Sequence, residues 1–251
     1  MTSPCIPIHK PVELRLSNGD SYLFHCYQWK SIRFGWFDCY SKQGKPLDFS
    51  QKEPYYPLLE KFQLKMVSLE QIHGSIIHEP DFNTNEPIIS ACGQGDGFFT
   101  GSKSLALSIR TADCVPVFLF NDERICVLHC GYKSILSGIL NNALSLFEKD
   151  SHTNIKMAIG PHIGYCCFEV KKDVLSLFAK FQLFNRGDII NVGEAAHVNL
   201  SGLIRDWFLL HGGRADYFFN FSQCTVCNQS YHSHRRNGTT DRMGHLIWME
   251  A

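Results

Sequence analysis

Short apolar runs, each ended by a turn residue or a reactive side chain, recur along this chain and constrain its fold most. Residues 105–109, 125–128, 155–159 and 246–249 are apolar but too short for self-standing helices, so they read as strands. Three such runs lead to residues that bind metals. Residues 66–72 precede His73, 105–109 lead through Thr111-Ala112-Asp113 to Cys114, and 125–128 run into His129. Reactive groups at strand ends of a mixed sheet converge on one rim, where loops leave room for a ligand. Neutral imidazole and thiolate are the ligand types that best suit Zn²⁺ or copper, and three protein ligands leave one position open, as catalytic sites do. Two other readings of the same residues stand beside this one. Strand-end His and Cys are often ordinary core residues, and Cys114 could be a nucleophile with His73 or His129 as its base.

Helical periodicity appears later. Leu136, Leu140, Ala143, Leu144 and Phe147 predict a helix starting after the Gly131 turn. A second helix is expected from about Asn199 to His211, stopped by Gly212-Gly213, and a third over residues 171–181. Residues 217–219 read as a further strand. Residues 1–64 read as an irregular front end in which strands at 12–16 and 22–27 flank the turn Ser17-Asn18-Gly19-Asp20, and 42–56 form a polar loop. No repeat or linker interrupts the chain. The expected class is α+β (mixed α/β), one domain over residues 1–251 with mixed sheets covered by helices on their outer faces.

The 24 basic and 24 acidic residues cancel, so nothing draws the chain to nucleic acid or to an anionic membrane surface. The longest compact apolar stretches, such as 115–120, are too short to span a bilayer, and residues 1–10 lack the apolar core of a secretory signal. Eleven cysteines, an odd number without a signal, favour reduced thiols over a disulfide framework. A cytoplasmic protein is expected, and nothing demands more than a monomer or weak oligomer.

Several polar motifs remain. Cys224-Thr225-Val226-Cys227 lacks the second Cys-x-x-Cys of a structural zinc site, so it reads as structural or incidental. Cys166-Cys167 follows the tight turn predicted at Gly160-Pro161-His162-Ile163-Gly164 and suggests no chemistry by itself. Gly93-Gln94-Gly95-Asp96-Gly97 lacks the Lys-Ser/Thr of a P-loop and reads as a turn. Asp96 and Asp113 both lie near the strand that delivers Cys114. The stretch from His234 to Arg242 carries Arg235, Arg236 and Arg242, whose forks match phosphate oxygens, although a solvated loop has the same composition. The turn Gly131-Tyr132-Lys133 enters a helix whose N-terminal amides offer a second candidate anion site next to His129.

Taken in order, six blocks resemble one family. They are Leu69-Glu70-Gln71-Ile72-His73-Gly74, Gly95-Asp96-Gly97-Phe98-Phe99-Thr100, Thr111-Ala112-Asp113-Cys114-Val115-Pro116-Val117 and Val127-Leu128-His129-Cys130-Gly131-Tyr132-Lys133, then residues 158–170 and 224–243. The set is similar to the YfiH-type family, also called the laccase-domain or polyphenol-oxidase family, over residues 64–249. Residues 1–63 diverge. The family usually has His-Ala-Gly-Trp-Arg-Gly where this chain has His129-Cys130-Gly131-Tyr132-Lys133-Ser134. Lys133 keeps the charge but loses the bidentate fork. The family also usually reads Ser-Tyr-Arg-Arg and Thr-Gly-Arg at Ser233-His234-Arg235-Arg236 and Thr240-Asp241-Arg242.

The resemblance implies a four-layer arrangement of mixed sheets between helices, with zinc on His73, Cys114 and His129. It implies phosphorolysis of adenosine, inosine and methylthioadenosine, with adenosine deamination as a side activity, so nucleoside and phosphate are the expected partners. Lys133, Arg235, Arg236 and Arg242 are then candidate phosphate contacts, with Asp96 and Asp113 beside Cys114 as catalytic candidates. The His-x-Glu…Pro-Cys-x-x-Cys signature of the zinc deaminases is absent, so any deamination must use another arrangement. A Cys–His hydrolase acting on an amide or ester, such as a cell-wall precursor, is the alternative, and a copper-dependent phenol oxidase ranks below it.

Overall fold

The computed structural model describes residues 7–80, 88–89, 92–147, 154–179, 189–192 and 195–251. Two large mixed sheets dominate it. The first has eight strands, in the spatial order Ile8–His9, Ser21–Trp29, Ile32–Phe37, Met243–Met249, Leu105–Thr111, Lys65–Val67 and Ile88–Ile89, with Val12–Arg15 paired to Ser21–Trp29. Its pairings are antiparallel except where Lys65–Val67 runs parallel to both of its neighbours. The second has six strands, ordered Phe218–Asn220, Lys156–Ile159, Val115–Phe120, Ile125–Cys130, Gly97–Thr100 and Ile77–His78. A small third sheet joins Glu169–Val170, Ala195–Val198 and Ile189–Val192.

The central strands are apolar throughout because both of their faces are covered. Along Met243–Met249, Leu246 and Trp248 enter a core beneath the helix Tyr56–Phe62, which supplies Leu58 and Leu59. Ile247 and Met249 point the other way, into a core shared with Phe118, Phe120 and Val127 of the six-stranded sheet. The far face of that sheet, with Val117, Leu119 and Leu128, packs on Ile139, Leu140, Leu203 and Trp207. These last come from the helices Ile139–Leu146 and Leu200–Leu210. The result is four layers, helix, sheet, sheet and helix, with three cores between them, as the resemblance implied.

Three local expectations change. The front end is not irregular: it supplies four of the eight strands of the first sheet, including Ile32–Phe37, which sequence reading missed. The helix expected after Gly131 is two pieces, Tyr132–Leu136 and Ile139–Leu146, broken at Gly138, whose φ of 86° lies in the left-handed region. The strand expected over 66–72 ends at Val67, so His73 stands on a loop. The helix from Asn199 appears as Leu200–Leu210, with Asn199 capping it by accepting from the Gly202 amide. Lys172–Ala179 is the helix expected over 171–181, and residues 180–181 lie outside the described residues.

Candidate metal centre and its cavity

Cys114 sits where the chain leaves one sheet for the other. Leu105–Thr111 belongs to the eight-stranded sheet and Val115–Phe120 to the six-stranded one, with only Ala112, Asp113 and Cys114 between them. So tight a crossing takes Asp113 to a φ of 95°, a region costly for any residue with a Cβ. The Asp113 carboxylate secures the bend. One oxygen accepts from Thr225 Oγ1 at 2.6 Å and the other from the Arg235 amide at 2.7 Å.

His129 lies in the last turn of pleat of Ile125–Cys130, paired with Pro116 and buried. His73 comes from the neighbouring loop, at a φ of 58°. A single buried carboxylate, Asp96, holds both. It accepts from the amides of Ile72 at 3.3 Å, His73 at 2.9 Å and Gly74 at 2.6 Å, and from His129 Nδ1 at 2.8 Å. Burial would raise the Asp96 pKa, but the His129 hydrogen bond and these amides outweigh it and keep the carboxylate ionised. Because a carboxylate only accepts, Nδ1 carries the proton and His129 Nε2 is left as the ligand atom.

The ligand atoms of His73, Cys114 and His129 lie within 4.8 Å of one another. The imidazoles meet edge to face with centroids 4.7 Å apart, and Cys114 Sγ stands 3.9 Å from His73 Nε2. Burial pushes the Cys114 thiol up, yet the charge and hydrogen bond of His129, with the His73 hydrogen bond, bring it down to about 6. Burial likewise opposes protonation of His129, but the Cys114 charge and the Asp96 hydrogen bond raise it to about 9. Each member of this pair favours the charged form of the other. Gly131 leaves room for it: a Cβ there would stand 3.0 Å from His73 Cδ2 and 3.1 Å from Cys114 Sγ. Two imidazoles and an ionisable thiol, one imidazole fixed from behind by a carboxylate, form a donor set that fits Zn²⁺.

These three residues face a cavity of about 600 Å³. Its walls include Arg110, Arg235 and Arg242, the hydroxyl of Thr240, and the rings of Tyr132 and Phe168. Asp113 lines it too, with both oxygens already engaged. Asp96 stands behind the lining, bonded to the His73 amide and the His129 ring. Arg236 is turned away: its guanidinium donates to the carbonyls of Thr225, Val226, Asn228 and Tyr231. Lys133 is exposed and outside the lining. Sequence reading passed over Arg110, whose Nη2 donates to Leu69 O at 2.8 Å and whose backbone is clasped by the Gln71 side chain. Its signal was available, since it is the one charged residue in an otherwise apolar and hydroxylic strand, Leu105–Thr111.

Residues 55–250 match the family described as multi-copper polyphenol oxidoreductase laccase. The chain belongs to that family. Within it, the chain is 29% identical to "Purine nucleoside phosphorylase YfiH" of Escherichia coli (strain K12) over 188 residues, 74% of either protein. It is 30% identical over 194 residues to a purine nucleoside phosphorylase of Borreliella burgdorferi, covering 73% of this chain and 79% of that one. The fold matches the crystal structure of YlmD from Geobacillus stearothermophilus with a TM-score of 0.81, over 90% of this chain and 96% of that one, at 22% identity. This laccase-family chain therefore shares the fold of that structure. Among its described residues, no helix is long and apolar enough to cross a membrane.

Proposed function

We propose that this protein is a zinc-dependent purine nucleoside phosphorylase with adenosine deamination as a side activity. The observation that carries the reading is the convergence of His73, Cys114 and His129 on a cavity whose other walls hold three arginines and two aromatic rings. Anion-binding forks and flat apolar faces are what a phosphate and a purine require. The names of the relatives support the same substrates. Three donors suffice for one ion, which favours zinc chemistry over the several coppers in the family's description.

His73, Cys114 and His129 would hold the ion, which when bound supplies Lewis-acid charge stabilisation and lowers the pKa of water. The chain's own residues do the rest. Arg235 is braced, with Nη1 donating to the carbonyls of Cys167 and Glu169 and its guanidinium 5.6 Å from the centre of the Phe168 ring. Its remaining N–H groups, with Arg110 and Arg242, would clamp phosphate against the anomeric carbon. Tyr132 and Phe168 would flank the purine as the glycosidic C–N bond breaks and its electron pair leaves on the base. Preorganised charges of this kind are effective because they need no reorientation during the reaction.

The test is incubation of the zinc-loaded protein with inosine, with and without phosphate. Phosphate-dependent hypoxanthine release, lost in Cys114→Ala together with the ion at the His73, Cys114, His129 site, is expected. Full zinc occupancy with no nucleoside turnover would overturn the reading. A second reading, the Cys–His hydrolase, draws on the lowered thiol pKa of Cys114. Covalent labelling of Cys114 by a substrate-like electrophile in metal-free, active protein would favour it instead.

A further inference from the structure

Two motifs that sequence reading kept apart meet in space. Cys166 and Cys167 leave a turn in which the amides of Cys167 and Phe168 both donate to Gly164 O at 3.0 Å. Cys224 and Cys227 flank a second turn, closed by Asn228 N donating to Cys224 O at 2.9 Å. The backbone aligns the two turns: His162 N donates to Gln223 O at 3.2 Å and Thr225 N to His162 O at 3.0 Å. All four sulfurs lie within 4.8 Å of one another, with Cys227 Sγ 3.7 Å from Cys166 Sγ and 3.4 Å from Cys167 Sγ.

We propose that Cys166, Cys167, Cys224 and Cys227 form a second metal site, a closed tetrathiolate for a thiophilic divalent ion of the Zn²⁺ class. Four sulfurs around zinc at ~2.3 Å stand ~3.8 Å apart along the edges of the tetrahedron, close to the spacings seen. These spacings are well beyond the ~2.05 Å of a disulfide. Two further features suit an ion. The amides of Gly164, Val226 and Cys227 are directed at the Cys224 sulfur, and such donors stabilise a coordinated thiolate. Gly164 also leaves the space empty, since a Cβ there would stand 3.2 Å from Cys166 Sγ and 3.4 Å from Cys224 Sγ.

The role is structural, because four protein ligands leave no open position. Its reach extends to the cavity. Arg235 Nη1 donates to Cys167 O, Arg236 Nη1 to Val226 O, and Thr225, between the two paired cysteines, holds Asp113. An ion joining the turns would fix the scaffold behind Phe168 and Arg235. The inference stands independently of the proposed reaction.

The test counts metal in the full chain, purified under reducing conditions and loaded with Zn²⁺ alone. Two equivalents per chain are expected, falling to one in Cys114→Ala and to one in Cys227→Ser. If Cys227→Ser fails to fold, Co²⁺ loading of His73→Ala/Cys114→Ala decides the matter. That variant keeps all four cysteines and should show the sulfur-to-cobalt charge-transfer bands of a tetrahedral thiolate site. One equivalent in the wild-type chain, with these four thiols open to alkylation in the zinc-loaded protein, would overturn the proposal. So would a disulfide between the two turns in peptide maps of that protein.

Discussion

At the scale of single residues, the centre depends on carboxylates that never reach the cavity as free groups. Asp96 binds three consecutive amides and one imidazole, so it sets both the loop bearing His73 and the tautomer of His129. Asp96→Asn keeps the size but replaces one acceptor oxygen with an NH₂ that opposes those donors. Zinc affinity at the His73, Cys114, His129 site should fall about 10–100-fold, the usual effect of losing a partner behind a metal ligand. Competition with a chromophoric chelator measures this, and unchanged affinity would refute the positioning role. The three candidate ligands, His73, Cys114 and His129, could be picked out in the sequence because each belongs to a short block with a recognisable pattern, and the structure brings them together. The contacts of Asp96 and Asp113 could not be, because they join amides, the His129 ring and the Thr225 hydroxyl brought from positions distant in sequence. Arg235 and Arg236 could not be told apart as neighbours in one basic run, yet one faces the cavity and the other binds four carbonyls.

At the scale of elements, apolar runs foretold eight of the seventeen described strands, and several of the errors have local causes. Gly35 looks like a strand breaker, but a Cβ there would stand 2.0 Å from His25 O, so the glycine permits close pairing of Ser21–Trp29 with Ile32–Phe37. Gly138 sits inside a good helical pattern and splits it, because periodicity reports only the buried face and not the backbone angle. The strand Met243–Met249 carries a testable consequence of its own. His245 is fully buried there, with Nε2 2.8 Å from Thr111 Oγ1 and Nδ1 without a partner among the described residues. Burial, aided by the charge of His129, lowers its pKa to about 3. The unfolded chain protonates this histidine near its ordinary value of 6.5, so its contribution is intact above that pH and is lost as pH falls towards about 3. Across that window it adds a slope of up to about 1.4 kcal/mol per pH unit, the limit for one proton. Urea titrations of wild type and His245→Gln at several pH values should show a shallower acid loss in the variant. Identical slopes would mean that His245 is protonated equally in both states.

At the scale of the whole molecule, sheets covered on both faces separate what holds the fold from what does the chemistry. The cavity opens at the rim where Cys114 and Arg242 lie, and Met243 begins the last strand there. Trp248 lies five residues further along, about 17 Å at the usual rise of an extended strand. It faces the outer core, packed with Phe24 and Phe62 at ring-centroid distances of 5.8 and 5.3 Å. That core depends on the front-end strands, of which sequence reading found Val12–Arg15 and part of Ser21–Trp29 but missed Ile32–Phe37. Trp248→Ala should therefore cost about 3–5 kcal/mol of stability, the range for emptying an aromatic site in a packed core. The loss should leave the chemistry alone. Below its lowered melting temperature, the variant should keep the zinc stoichiometry of the wild type and the same zinc affinity at the His73, Cys114, His129 site. Thermal unfolding and metal titration of one preparation test both halves together. A folded Trp248→Ala protein that had lost zinc affinity would show that the outer core sets the rim directly, and that the layers do not insulate it.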